Sequence, residues 1–148
     1  MITRLKRELE IFNKVKPCEA EGGPTPDDFK IWKISIPGQQ GTPFETGKFI
    51  IQLNFNNSDF PNSPPKCKFL TPIYHPNIKL STGEICLDAF NSKWRKNMTI
   101  CELVTAIFLL LGKPNLKHGL NNDALETYKN RTWTYVENVK SFINKHAK

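Results

Sequence analysis

Phe49, Ile51, Leu53 and Phe55 recur at every second position, with Ile50, Gln52 and Asn54 between them. A period of two is what a strand with one buried face requires, and no helix can put such a row on one side. The preceding stretch, Phe29 to Ile36, is rich in β-branched and aromatic residues and sets Trp32, Ile34 and Ile36 on one face. Lys66 to Leu70 alternates again, with Cys67 and Phe69 inward and Lys66 and Lys68 outward. Pro37-Gly38, Gly41-Thr42-Pro43 and the three prolines between Asn56 and Pro65 mark the turns, and Glu21 to Asp28, with Gly-Gly-Pro-Thr-Pro, reads as a turn-rich loop. Such short connections predict an antiparallel meander of three or four strands.

Helical spacing flanks this block. Ile2, Leu5, Leu9 and Phe12 predict an amphipathic helix over residues 1–16, ended by Pro17. Thr99-x-x-Glu102 is a capping box, and the helix it opens runs to Leu111 with Ile100, Leu103, Val104, Ile107, Phe108 and Leu111 on its apolar face. Asn122 to Lys129 predicts a shorter helix, and Thr132 can cap a last one through Val136, Val139 and Phe142 or Ile143. Strands grouped rather than alternating with helices predict α+β. The expected fold is an N-terminal helix, a four-stranded antiparallel meander, a long active-site segment, a central helix and two C-terminal helices.

The 148 residues fit a single domain, expected to span 1–148, and 39% hydrophobic content is enough for a core. The longest apolar run, Ala106 to Leu111, is far too short to cross a membrane. The net charge is +7, but Lys outnumbers Arg by 17 to 4 and no nucleic-acid motif accompanies the charge, so nucleic acid is disfavoured as a partner. No strand runs into a phosphate-binding glycine motif. Cys18, Cys67, Cys86 and Cys101 are scattered without a Cys-x-x-Cys pair, so neither a structural zinc site nor a disulfide framework is expected; no other metal and no small cofactor is expected either. The N-terminus lacks a signal-peptide apolar region. The expected location is the cytoplasm, extending to the nucleus, or an organelle where a presequence has been removed.

From Thr71 to Met98 no long periodic segment occurs, and irregular stretches of that length in compact domains are usually functional. This one holds His75, Asn77 and Cys86. A loop cysteine near a histidine suggests a nucleophile, with a His-activated protease thiol as the first idea. A small apolar filler is the competing reading of Cys86.

Phe60-Pro61-Asn62-Ser63-Pro64-Pro65-Lys66, Tyr74-His75-Pro76-Asn77-Ile78, Gly83-Glu84-Ile85-Cys86-Leu87-Asp88, Trp94 and Pro114-Asn115 follow one another in order, and Gly41-Thr42-Pro43-Phe44-Glu45 precedes them. Together they resemble the ubiquitin-conjugating enzyme family, from Leu5 to about Lys145. The resemblance implies a transferase. Cys86 accepts ubiquitin or a ubiquitin-like protein from an activating enzyme as a thioester and passes it to a substrate lysine or a ligase. It implies that Asn77 stabilises an oxyanion or organises the loop, with the two readings level, and that Asp88 borders the acceptor channel. His75 becomes a structural residue, which removes the protease idea. Arg4 and Arg7 match the basic residues of the first helix that meet the activating enzyme, with Lys6 between them and a solvated face as the alternative. Thr105 and Leu109 are candidates for the helix face that supports bound ubiquitin, though Leu109 could equally be core. The Phe60-Pro61 bond is a candidate cis peptide.

Two departures from the family pattern bear on mechanism. His118 stands where an acidic residue beside the active cysteine is usual. Asn62 replaces the apolar residue that anchors ligases, and Arg95-Lys96-Asn97 replaces a Ser-Pro-Ala triplet. A specialised ligase is therefore expected. The rival reading from another class is a catalytically silent scaffold that binds ubiquitin; a nucleic-acid binder would rest on charge alone.

Overall fold

The alternating segments are realised as a four-stranded antiparallel sheet of order β1-β2-β3-β4: Glu21–Pro24, Ile31–Pro37, Lys48–Asn54 and Lys66–Phe69. The structure is a computed structural model and describes residues 1–85 and 94–148. Around the sheet lie α1 (Ile2–Val15), α2 (Ile100–Gly112), α3 (Asn122–Asn130) and α4 (Thr132–His146). The register pairs Trp32 with Leu53 and Ile51 with Phe69, so one sheet face is uniformly apolar. Trp32, Ile34, Ile36, Phe49, Ile51 and Leu53 are fully buried there, as their period of two demands.

Against that face pack Leu5 and Phe12 of α1 and the buried stripe of α2, Ile100, Leu103, Val104, Ile107, Leu110 and Leu111. Phe12 meets Trp32 edge to face, with centroids 6.4 Å apart. Within α2 the expected stripe shifts slightly: Leu110 is buried and Phe108 is only half-buried. Ile2 of α1 is exposed because the helix begins at that residue and overhangs the core.

The expectation of a turn-rich loop over Glu21 to Asp28 is corrected in part. Glu21–Pro24 is an edge strand on β2, with Gly22 opposite Ile34 and Gly23 opposite Lys33. Gly22 has φ 138°, and a Cβ there would lie 2.1 Å from the Lys33 carbonyl oxygen. Glycine is thus the means of pairing at this edge rather than a sign of a turn. Thr132 does not cap α4: the cap position is Arg131, and no side chain bonds the first turn. Phe60-Pro61 is cis.

Candidate active site

Ile73 to Ile78 are six consecutive buried residues in neither helix nor strand. Buried backbone without a ladder must find its hydrogen bonds elsewhere. Here side chains and the loop after α2 supply them. The Asn77 amide donates to the imidazole Nδ1 of His75 at 3.0 Å, and His75 Nε2 donates to the Leu110 carbonyl at 2.8 Å. With both nitrogens committed, the ring is neutral with its hydrogen on Nε2. Burial holds its pKa down at about 4, against opposing bonds to the Leu110 and Leu111 carbonyls. His75 is a structural residue, not a base.

The side chain of Asn77 spans to the loop between α2 and α3. Its Nδ2 donates to the carbonyls of Asn115, at 2.7 Å, and of His118; its Oδ1 accepts the Asn115 amide at 2.8 Å. The Pro76 carbonyl beside it accepts the Leu120 and Asn121 amides at 2.8 and 3.1 Å. Asn121 in turn caps α3 by accepting the Ala124 amide. Of the two roles implied for Asn77, this geometry displays loop bracing: both amide hydrogens are already given to backbone carbonyls. His118 is half-buried on the loop so braced.

Ile78 forms a bridge with Ile85, and a tight turn over 79–84 closes between them through the Gly83 amide and the Lys79 carbonyl at 2.7 Å. Gly83 has φ 79°, and a Cβ there would strike the Phe69 carbonyl oxygen at 2.0 Å, so the turn lies directly on β4. Cys86 and Asp88, the next sequence candidates, lie outside the described residues. The other three cysteines are described. Cys67 is buried, and burial pushes its thiol up to about 12. Cys101 is half-buried and also raised, chiefly by burial and then by the nearby Glu8. Cys18 lies 3.7 Å from the Thr105 hydroxyl. None of the three joins the Asn77–His118 cluster in these contacts.

The remaining candidates fall on α1, on the loops around Asn62 and Arg95, and on α2. Lys6 and Arg7 are exposed on α1, but Arg4 is turned inward, with its side chain 18% exposed. It pairs with Glu8 at 3.2 Å, donates to the carbonyls of Lys96 and Met98, and lies over the Phe60 ring. The expectation that Arg4 forms part of an open basic face therefore changes: its donors tie α1 to the segment before α2. Asn62, Arg95, Lys96 and Asn97 are all exposed, and Trp94 Nε1 donates to the Pro61 carbonyl at 3.0 Å, joining their two loops. On α2, Leu109 is 49% exposed, which places it outside the core, and Thr105 is half-buried with its hydroxyl on the Cys101 carbonyl.

Sequence reasoning missed Glu8. This carboxylate is 2% exposed and accepts the Ile100 amide at 2.7 Å, at the start of α2. The signal was present: Leu5, Glu8 and Phe12 share one helical face, so a charge stood inside an apolar stripe.

A family model described as ubiquitin-conjugating enzyme matches residues 4–143. The chain is 33% identical over 142 residues to ubiquitin-conjugating enzyme E2 2 of Saccharomyces cerevisiae, covering 96% of this chain and 81% of that protein. It is 35% identical over 140 residues to the protein of the same name from Mycosarcoma maydis, covering 95% and 75%. Among solved structures, the E2 domain of a Toxoplasma gondii ubiquitin conjugating enzyme superposes with a TM-score of 0.88 at 29% identity, covering the whole of both chains.

Proposed function

Because this chain belongs to the ubiquitin-conjugating enzyme family, we propose that it carries ubiquitin, or a ubiquitin-like protein, as a thioester of Cys86. The thiolate attacks the thioester carbonyl of the charged activating enzyme, and the activating-enzyme cysteine leaves as its thiolate. A substrate lysine then attacks the new thioester, giving an isopeptide bond and returning the Cys86 thiol; transfer to a ligase cysteine is the thiol-to-thiol version of the same step. Thiol exchange is nearly balanced in free energy, whereas aminolysis to an amide runs downhill. The observation that carries this reading is the Asn77 brace, which locks the 115–121 loop to the segment leading into Ile85 and Cys86. We assign Asn77 as a positioning residue, Asp88 to the acceptor channel and His118 to proton acceptance from the lysine. A neutral imidazole has a lone pair that can accept a proton but cannot attract an ammonium as a carboxylate does. Lys6 and Arg7 meet the activating enzyme, and Thr105 and Leu109 support the carried protein.

Charging with activating enzyme, ATP and a panel of modifiers, read on non-reducing gels, tests this directly. A reductant-sensitive adduct that Cys86→Ala abolishes is the expected result. Absence of an adduct with every modifier would favour the silent scaffold. His118→Asp should raise discharge to free lysine several-fold without changing charging, and an unchanged discharge rate removes His118 from the assignment.

A further inference from the structure

Trp133 is the most exposed large apolar side chain among the described residues, at 77%. An indole carries one of the largest apolar areas of any side chain together with one N–H donor, and in folded chains it is mostly covered. Trp32 follows that rule, fully buried, and Trp94 is half-buried on the Pro61 carbonyl. Trp133 stands near the start of α4 and shares one helix face with Val136 and Lys140, at spacings of three and four. Beside that face lies a cleft of about 540 Å3. It is lined by Tyr128 from α3, by Thr132, Val136 and Lys140 from α4, and by Pro43 and Glu45 from the loop before β3. Trp133 projects next to this cleft rather than into it. The Glu45 carboxylate accepts the Gly41 amide at 3.0 Å through one oxygen, and its other oxygen keeps its capacity to accept.

We propose that the chain self-associates through α4 as a two-fold dimer, in which Trp133 of each copy fills this cleft of the other. Projection and recess lie side by side on one helix. A two-fold contact needs that arrangement, because the same patch must serve as both halves of the interface. Two α4 helices laid antiparallel, with the axis between residues 136 and 137, bring Trp133 of one copy level with Lys140 of the other. The indole then lies along the Lys140 stem and against Tyr128, where the ammonium can sit over the ring, and its N–H is within the zone of the Glu45 carboxylate. The same axis sets the two Val136 side chains against each other at the centre, so the middle of the contact is apolar and the charges stand at its rim. Each association makes the indole contact twice. Two covered indoles and the cleft walls they occupy remove on the order of 1,000 Å2 from water, the low end for a specific interface, which makes the dimer a transient one. Each copy carries a net charge of +7, so long-range repulsion works against the contact.

The test is sedimentation velocity of the full, uncharged chain from about 10 μM to 1 mM, with nitrogen-15 NMR spectra over the same dilution. The expected result is a monomer–dimer equilibrium with a Kd of about 0.1–1 mM, and concentration-dependent shifts at the Trp133 indole, Tyr128, Val136, Lys140 and Glu45. Association should strengthen as salt rises, because salt screens the repulsion between the two cationic copies. Trp133→Ala should weaken it at least about 10-fold, and the exposure of that side chain leaves the fold intact, as circular dichroism checks. Thr132→Arg, at the exposed mouth of the cleft, should weaken it by a similar factor. Mixed one to one, these two variants should associate more tightly than either alone, since Trp133 of the Thr132→Arg chain still meets an open cleft on the Trp133→Ala chain. Ile50→Ala with Leu70→Ala, on the sheet, should change nothing. A monomer at every concentration, an association indifferent to Trp133→Ala, shifts confined to another surface, or no gain on mixing overturns the proposal. No thioester is involved, so the outcome is independent of whether Cys86 can be charged.

Discussion

The imidazole of His75 is fully buried and has both nitrogens in use, one on the Asn77 amide and one on the Leu110 carbonyl. Protonation would strip the Asn77 amide of its acceptor and bury a charge. The folded pKa of about 4 lies below the ordinary 6.5, so the unfolded chain takes up its proton first as pH falls. This contribution to stability is full above pH 6.5, declines as pH drops from 6.5 to 4, and totals about 3 kcal/mol. Urea unfolding at pH 7, 5.5 and 4.5 should show that decline, and the difference between wild type and His75→Gln isolates it from the carboxylates. Asn77 predicts a different signature. Asn77→Ala leaves the Asn115 amide and the Asn115 and His118 carbonyls without partners. The expected cost is about 2–4 kcal/mol, with faster hydrogen exchange over residues 115–121 measured by NMR. An oxyanion role without bracing would instead slow transfer and leave both stability and exchange unchanged.

Helix ends show how far local pattern reaches. The Thr99 hydroxyl accepts the Glu102 amide at 3.0 Å, as the capping-box spacing predicts. The Ile100 amide, however, goes to Glu8 of α1, a residue 92 positions away. That carboxylate sits at the positive end of the α2 dipole while Arg4 neutralises it. Glu8→Ala should destabilise by about 2–4 kcal/mol, because it exposes a buried amide and a half-buried guanidinium to unpaired states. Glu8→Gln, which keeps an acceptor, should cost less than half of that in the same denaturant titration. The helices and β2 to β4 were legible because period and turn chemistry are local. β1 was not, because two glycines and a proline carry no alternation and pair only through the close approach of β2. The brace was half legible. Asn77 and Pro114-Asn115 stood out as motif pieces, but the bonds joining them cross about 40 residues and exist only once α2 has packed.

At the scale of the molecule, Arg4, Phe60, Pro61 and Trp94 fasten three separate segments together. Phe60 packs on Trp94 and under Arg4, and Trp94 bonds the Pro61 carbonyl. The framework of the ligase surface that the family resemblance implies is held together by these contacts, while the exposed tips on it are Asn62, Arg95, Lys96 and Asn97. Interfaces draw most of their energy from a few anchors buried in well-packed pockets, and these four exposed tips offer no apolar side chain to fill one. Wild-type chain should bind a panel of common RING domains no tighter than about 100 μM by calorimetry. The quadruple variant Asn62→Phe, Arg95→Ser, Lys96→Pro and Asn97→Ala should gain at least about 10-fold. The backbone accepts it: the Met98 amide donates to the Arg95 carbonyl at 2.9 Å, which makes residue 96 the second position of a turn, where proline's fixed φ fits. Arg4 bonds the Lys96 and Met98 carbonyls rather than side chains, so its tie survives the exchange. Tight binding by the wild type would mean that the cationic tips themselves recognise RING surfaces, and the specialised partner would lose its physical basis.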